Sequence, residues 1–126
     1  MMWRKLLLLA SAGALGTLVR YALAGWVQRG AGAAFPWGTL AVNAAGCFLA
    51  GLVWMLAEHR MQLTGETRAI VLIGFLGAFT TFSAFMLETS ELVRDAEWLR
   101  AAANVAIMNG VGLVALFAGL FAGRAW

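Results

Sequence analysis

The sequence predicts an all-α integral membrane protein: four transmembrane helices, with an interrupted third helix. Three observations predict it. Hydrophobic residues make up 63% of the chain against 12% charged, with a mean hydropathy of +0.84. The charges fall between long apolar runs, with Arg20 the exception. The third run carries Gly, Thr and Ser together at its centre, residues that loosen helical bonding. A water-soluble domain of 126 residues with this balance would have far more apolar surface than it could bury. The length fits a single domain over residues 1–126, because four helices of about 20 residues each leave room only for short connections.

The first helix is expected from about Trp3 to Gln28, opening with Arg4-Lys5. Basic residues before an apolar run resemble a signal peptide. Gly16 and Arg20 interrupt the region where cleavage would fall, however, so a retained helix is expected. Gly30 to Ala34 reads as a small-residue turn, and Pro36 sits where the next helix starts. The second helix, Trp37 to Ala57, is uncharged and ends in Glu58-His59-Arg60. A polar loop from Gln62 to Arg68 follows. Ala69 to Leu87 is then uncharged, with Glu88 next, and Arg94, Asp95, Glu97 and Arg100 surround a short connection. The fourth helix runs from Ala101 to Gly123, before Arg124. Runs this long and unbroken suit helices and not barrel strands.

Four crossings put both termini on one side, with Arg4, Lys5, Arg60, Arg68 and Arg124 there and Arg29, Arg94 and Arg100 on the other. That bias is weak under the positive-inside rule, so insertion in both orientations is permitted and an antiparallel dimer is physically reasonable beside a singly oriented monomer. The net charge of +3 and pI near 10.0 do not indicate nucleic acid, because the basic residues are scattered among apolar runs. The lone Cys47 excludes an internal disulfide or a thiol metal cluster and reads as packing.

Four features within the spans carry possible chemistry. Arg20 is costly in a spanning helix unless it snorkels to the interface, finds a partner or lines water. It either caps the helix end or draws anions into a vestibule. Thr39 and Asn43, one i,i+4 step apart, put a hydroxyl and an amide on one face; Asn43 either glues helices together or donates to a permeating anion. The run Gly74-Phe75-Leu76-Gly77-Ala78-Phe79-Thr80-Thr81-Phe82-Ser83-Ala84-Phe85 suits a helix broken near the midplane, with exposed carbonyls able to hold a cation, or else a glycine-lined packing contact. Phe82 and Phe85, three residues apart, are either core or a source of positive ring edges toward a dehydrated anion. Glu88 stands at the end of this segment as a rim residue or salt-bridge partner. In the fourth helix Gly119 and Gly123, with Gly110 and Gly112, favour close approach, and Asn104 and Asn109 add polar groups on different faces.

Taken together, Gly13-Ala14-Leu15-Gly16-Thr17-Leu18-Val19-Arg20-Tyr21, Gly38-Thr39-Leu40-Ala41-Val42-Asn43 with Gly46, and the Gly74 to Phe85 run resemble the small bacterial fluoride channel family, the camphor-resistance CrcB or Fluc proteins. The resemblance covers essentially the whole chain. It implies a passive fluoride channel of the bacterial inner membrane, an antiparallel dual-topology homodimer with two pores at the subunit interface. By resemblance Asn43 is the pore amide, Phe82 and Phe85 supply the rings facing fluoride, and Arg20 is the vestibule arginine. The backbone carbonyls of Gly77 and Thr80, supplied twice by symmetry, look like the cage of a structural sodium ion. Thr81, Ser83 and Glu88 fall in or beside the same segment. Ala84 stands where many relatives carry a hydroxyl, and Met108 where the family has a pore-side serine. No enzyme activity and no organic cofactor are implied.

Two other functions fit a small four-helix membrane protein. A proton-coupled multidrug transporter needs a carboxylate in its first helix, where this chain has Arg20 and no Asp or Glu. A noncatalytic assembly protein would use Asn43 and the glycines for helix association alone.

Overall fold

The computed structural model describes residues 1–59 and 63–126. Among them are four helical stretches long and apolar enough to cross a membrane: Met2–Ala31, Trp37–His59, Gly65–Arg94 and Trp98–Ala125. We call the first two α1 and α2. The third span is divided: α3 begins as Gly65–Ala69, widens into a π-helical run over Ile70–Leu76 and closes with Gly77–Phe79, and α4 is Phe82–Arg94. The last helix is α5, Trp98–Ala125.

The expected loop from Gln62 to Arg68 is corrected in part. Residues from Gly65 onward are helical, because the Thr64 hydroxyl accepts the Thr67 N–H at 3.2 Å and caps a turn that hydropathy alone does not reveal. Gln62 and Arg60 lie outside the described residues. The first turn is also shorter than expected, since α1 continues through Ala31 and ends at Gly32 with φ 94°, a left-handed conformation that glycine adopts without strain. Gln28 stitches this turn: its amide donates to the carbonyls of Gly32 (2.6 Å) and Phe35 (2.9 Å) and accepts the Gly38 N–H (2.9 Å). Pro36 sits just before α2, its carbonyl accepting the Leu40 N–H.

Packing follows the small residues. α1 runs parallel to α3, with Gly16 pressed so closely against Phe75 that a Cβ there would strike its carbonyl oxygen. α2 runs parallel to α5. Added Cβ atoms at Gly51 and Gly119 would strike the carbonyl oxygens of Leu116 and Phe48, and one at Gly123 would crowd Met55. The expected close contact in α5 therefore belongs to Gly119 and Gly123; Gly110 meets nothing within 4 Å, and Gly112 only touches the Cys47 sulfur at 3.6 Å. Lipid offers apolar groups no hydrophobic gain from associating, so such backbone-to-backbone fit is the main source of cohesion. Val42, Leu76 and Phe79 form the buried centre, where α2 meets the third span.

All six tryptophans are exposed. Trp3, Trp54 and Trp126 lie toward the end that carries the termini, and Trp26, Trp37 and Trp98 toward the other. Arg68 lies over the Trp54 ring, 4.4 Å from its centroid.

Candidate functional site

The third span breaks at Thr80 and Thr81, both of which have extended backbones (φ −87°, ψ 158° and φ −149°, ψ 116°). The glycines expected to loosen this region do something else. Gly74 is buried against Leu9 and Ala12 of α1, and Gly77 is itself helical at φ −61°, ψ −33°. Threonine chemistry makes the break. Thr80 closes the first half: its N–H and hydroxyl both donate to the Leu76 carbonyl, at 3.0 and 2.9 Å. Thr81 opens the second, its hydroxyl accepting the Ala84 N–H at 3.2 Å as an N-cap. Gly46 of α2 makes room, since a Cβ there would collide with the Thr80 methyl.

Breaking a helix at this depth exposes peptide groups that lipid cannot solvate. Asn43 satisfies those of Thr81. Its Nδ2 donates to the Thr81 carbonyl at 3.0 Å and its Oδ1 accepts the Thr81 N–H at 2.8 Å, so one amide side chain mimics the missing peptide partner. Nδ2 also lies 3.5 Å from the Met108 sulfur of α5. A thioether is a weak acceptor, which leaves that N–H cheaply available to a stronger one. Of the two sequence readings of Asn43, the gluing role is therefore present in the geometry, and a donor remains beyond it.

Asn43, Thr81, Phe82, Phe85 and Met108 share a cleft of about 230 Å³. The two rings meet edge to face, with centroids 5.7 Å apart and planes at 72°. They do not face alike: Phe85 is 3% exposed and Phe82 72%. Phe82 thus presents one side to the cleft and another to the surface of the chain.

On the other side of the break lies a larger open cleft of about 770 Å³, lined by Arg20, Thr39, Thr81 and Ser83, with Arg29 beside them. Arg20 stands eleven residues before the end of α1 at Ala31, roughly 16 Å along the axis, too deep to cap that end. It lines the open cleft instead. Ser83 is exposed, and its hydroxyl lies 3.4 Å from that of Thr81. Thr81 lines both clefts, so the break forms the wall between them.

Thr39 is buried and turned away from Asn43's partners; its hydroxyl donates to Glu88 Oε1 at 2.5 Å. Glu88 faces a third cleft with Gln28, Glu91 and Asp95, and no salt bridge to it occurs among the described residues. Asn43 and Thr39, one turn apart on α2, therefore serve different clefts. Gly77 is exposed and Thr80 half-buried at the surface of the chain. Sequence reasoning missed Gln28 and gave Asn104 no task, although a buried Asn in lipid always needs partners. Asn104 is fully buried and bonds Thr89, whereas Asn109 is exposed and bonds its own helix at Val105.

Residues 7–120 match the model of the family described as CrcB-like protein, Camphor Resistance (CrcB). The chain is 58% identical over 118 residues to the fluoride-specific ion channel FluC of Nitrosococcus oceani, covering 94% of each. It is 54% identical to that of Desulforapulum autotrophicum, covering 98% of each. Against the protein of the same description from Geobacter sulfurreducens it is 47% identical, covering 94% of this chain and 96% of the relative.

Proposed function

The chain belongs to the CrcB-like, camphor-resistance family, and from that premise we propose that it is a subunit of a passive fluoride-selective channel of the bacterial inner membrane. Two copies, inserted in opposite orientations, form two pores between them. The observation that carries this reading is the broken third span spliced by Asn43, which puts an amide donor, the Thr81 hydroxyl and the Phe82–Phe85 ring pair in one cleft at mid-membrane depth. The high exposure of Phe82 supports the second copy, because a ring facing fluoride needs an opposite wall that one chain does not supply.

Fluoride approaches through the Arg20 cleft, where the guanidinium raises its local concentration. It loses part of its hydration at the break. On the Arg20 side the hydroxyls of Ser83 and Thr81 donate to it, and in the cleft beyond the break the Asn43 N–H directed at Met108 does so, flanked by the positive edges of Phe82 and Phe85. Thr39 lines this approach, and Glu88, held by its hydroxyl, is the rim residue facing the neighbouring cleft. No proton or covalent step is needed, and selectivity comes from the cost of dehydration balanced against donors strong enough for this halide alone. Efflux then follows the electrochemical gradient.

The same break suits a structural sodium ion shared by two copies. The carbonyl oxygens of Gly77 and Thr80 would hold it: they are hard neutral donors, and they lie where Gly77 is exposed and a Cβ would meet only Leu72, at 3.8 Å. When bound, it supplies positive charge that offsets the repulsion between anions and joins the two broken spans.

Purified protein in liposomes tests the proposal, with an electrode following fluoride and chloride release. Rapid fluoride release without chloride release or proton coupling is expected; assembled pairs that retain fluoride like empty vesicles overturn it. The reciprocal Asn43–Thr81 bonds also favour a second reading, in which Asn43 serves assembly alone. An Asn43 variant that loses assembly and flux in equal measure would decide for that reading.

A further inference from the structure

Phe85 and Phe82 are three residues apart on α4, so their directions differ by about 60° around its axis. That small angle separates a ring 3% exposed from one 72% exposed. A rotation of α4 by a few tens of degrees would therefore expose Phe85 and move both rings relative to Asn43. Apolar packing between helices in lipid resists such a rotation weakly, because lipid tails are as apolar as the side chains they replace. A directional bond resists it far better.

Such bonds tie α4 to α2 through Thr39–Glu88 and Asn43–Thr81, and one ties it to α5. Asn104 of α5 is fully buried and its Nδ2 donates to the Thr89 hydroxyl at 2.9 Å. Thr89, one turn beyond Phe85, in turn donates to the Phe85 carbonyl at 2.7 Å. The hydroxyl relays a fixed point on α5 to the peptide group that carries the buried ring. Asn104 Oδ1 has no partner among the described residues, although it is sealed from the surface. A side chain used only to join two helices would lower its cost by satisfying both amide atoms, whereas here one atom is left bare while the other is aimed at Thr89.

From this geometry we infer that Asn104 is a positioning residue for the permeation path: through Thr89 it fixes the rotation of α4 and so sets the Phe85 ring against Phe82 and Asn43. The inference rests on the reading that these rings line the path.

The test separates pore geometry from folding by scoring two quantities in liposomes, the fraction of vesicles that empty and the rate within those that do. Asn104→Val and Thr89→Val each remove the relay, the second without changing side-chain volume; Thr89→Ser retains it. Both valine variants are expected to lower the fluoride rate per active vesicle about three- to tenfold, the range of a lost interhelical hydrogen bond. Thr89→Ser should match the parent, and the double valine variant should be no worse than either single one. A valine variant that reduces only the fraction of active vesicles, with the rate in each unchanged, overturns the inference. A second readout does not depend on conduction: 4-fluorophenylalanine at position 85 should change its fluorine NMR shift in both valine variants and not in Thr89→Ser. An unchanged shift in the valine variants also overturns it. If the parent itself releases no fluoride, the channel reading fails, and the NMR comparison still judges the relay.

Discussion

The seam between α2 and α5 and the break in the third span are both close helix contacts, built from opposite chemistry. At the seam, Gly51 and Gly119 let backbones meet with no side chain between them. At the break, the Asn43 and Thr81 groups meet through two side-chain-to-backbone hydrogen bonds. Shape complementarity is the cheaper device in lipid, since it leaves no polar group to satisfy. A polar contact at the same depth needs every donor and acceptor matched, and the most loosely matched group at the break is the Asn43 N–H on the Met108 sulfur. On the channel reading proposed above, the seam serves cohesion alone, while Asn43 serves both cohesion and conduction.

The largest expected effect is at the seam. Gly119→Val drives a side chain into the Phe48 carbonyl and should cost about 3 kcal/mol, the upper end of the overpacking range, seen as loss of the folded species on gel filtration in detergent. Next comes Asn43→Ala, which strands the Thr81 N–H and carbonyl. It should destabilise by about 2 kcal/mol in thermal unfolding, and fluoride flux should fall by more than the folded fraction does. Phe82→Leu should invert the seam's behaviour: the ring is exposed, so stability should stay within about 0.5 kcal/mol while flux drops, and unchanged flux would blur the contrast between the two regions. The smallest effect is expected away from both. Ala96 holds φ 58° in the turn between α4 and α5, so Ala96→Gly should stabilise by about 1 kcal/mol without altering flux.

The four spans were legible because hydropathy and the placement of charge register directly in composition. Their ends were less so: the turn capped by Thr64 depends on one hydroxyl, and the Gln28 stitch on bonds reaching ten residues ahead. The Gly74 to Phe85 run correctly located a broken helix but left the work undivided. Only coordinates separate Gly74, which packs, from Thr80 and Thr81, which break and cap. Asn43 stood out as an amide in an apolar helix, yet its two partners lie 38 positions away, beyond any local pattern. Asn104 was noticed and given no role for the same reason, since its significance lies in Thr89 on a neighbouring helix. The residues singled out on α1 and α2 are sorted by the fold into separate clefts, Arg20 on one side of the break and Asn43 on the other.

The tryptophans carry a consequence for biogenesis. Indole rings prefer the headgroup layer, and three stand at each rim of this chain. The two rims consequently grip the lipid surface about equally, and their aromatic residues give an insertion apparatus no cue for telling top from bottom. The aromatic girdle therefore sets how deeply the chain sits in the bilayer and leaves its orientation to the charges of the short loops.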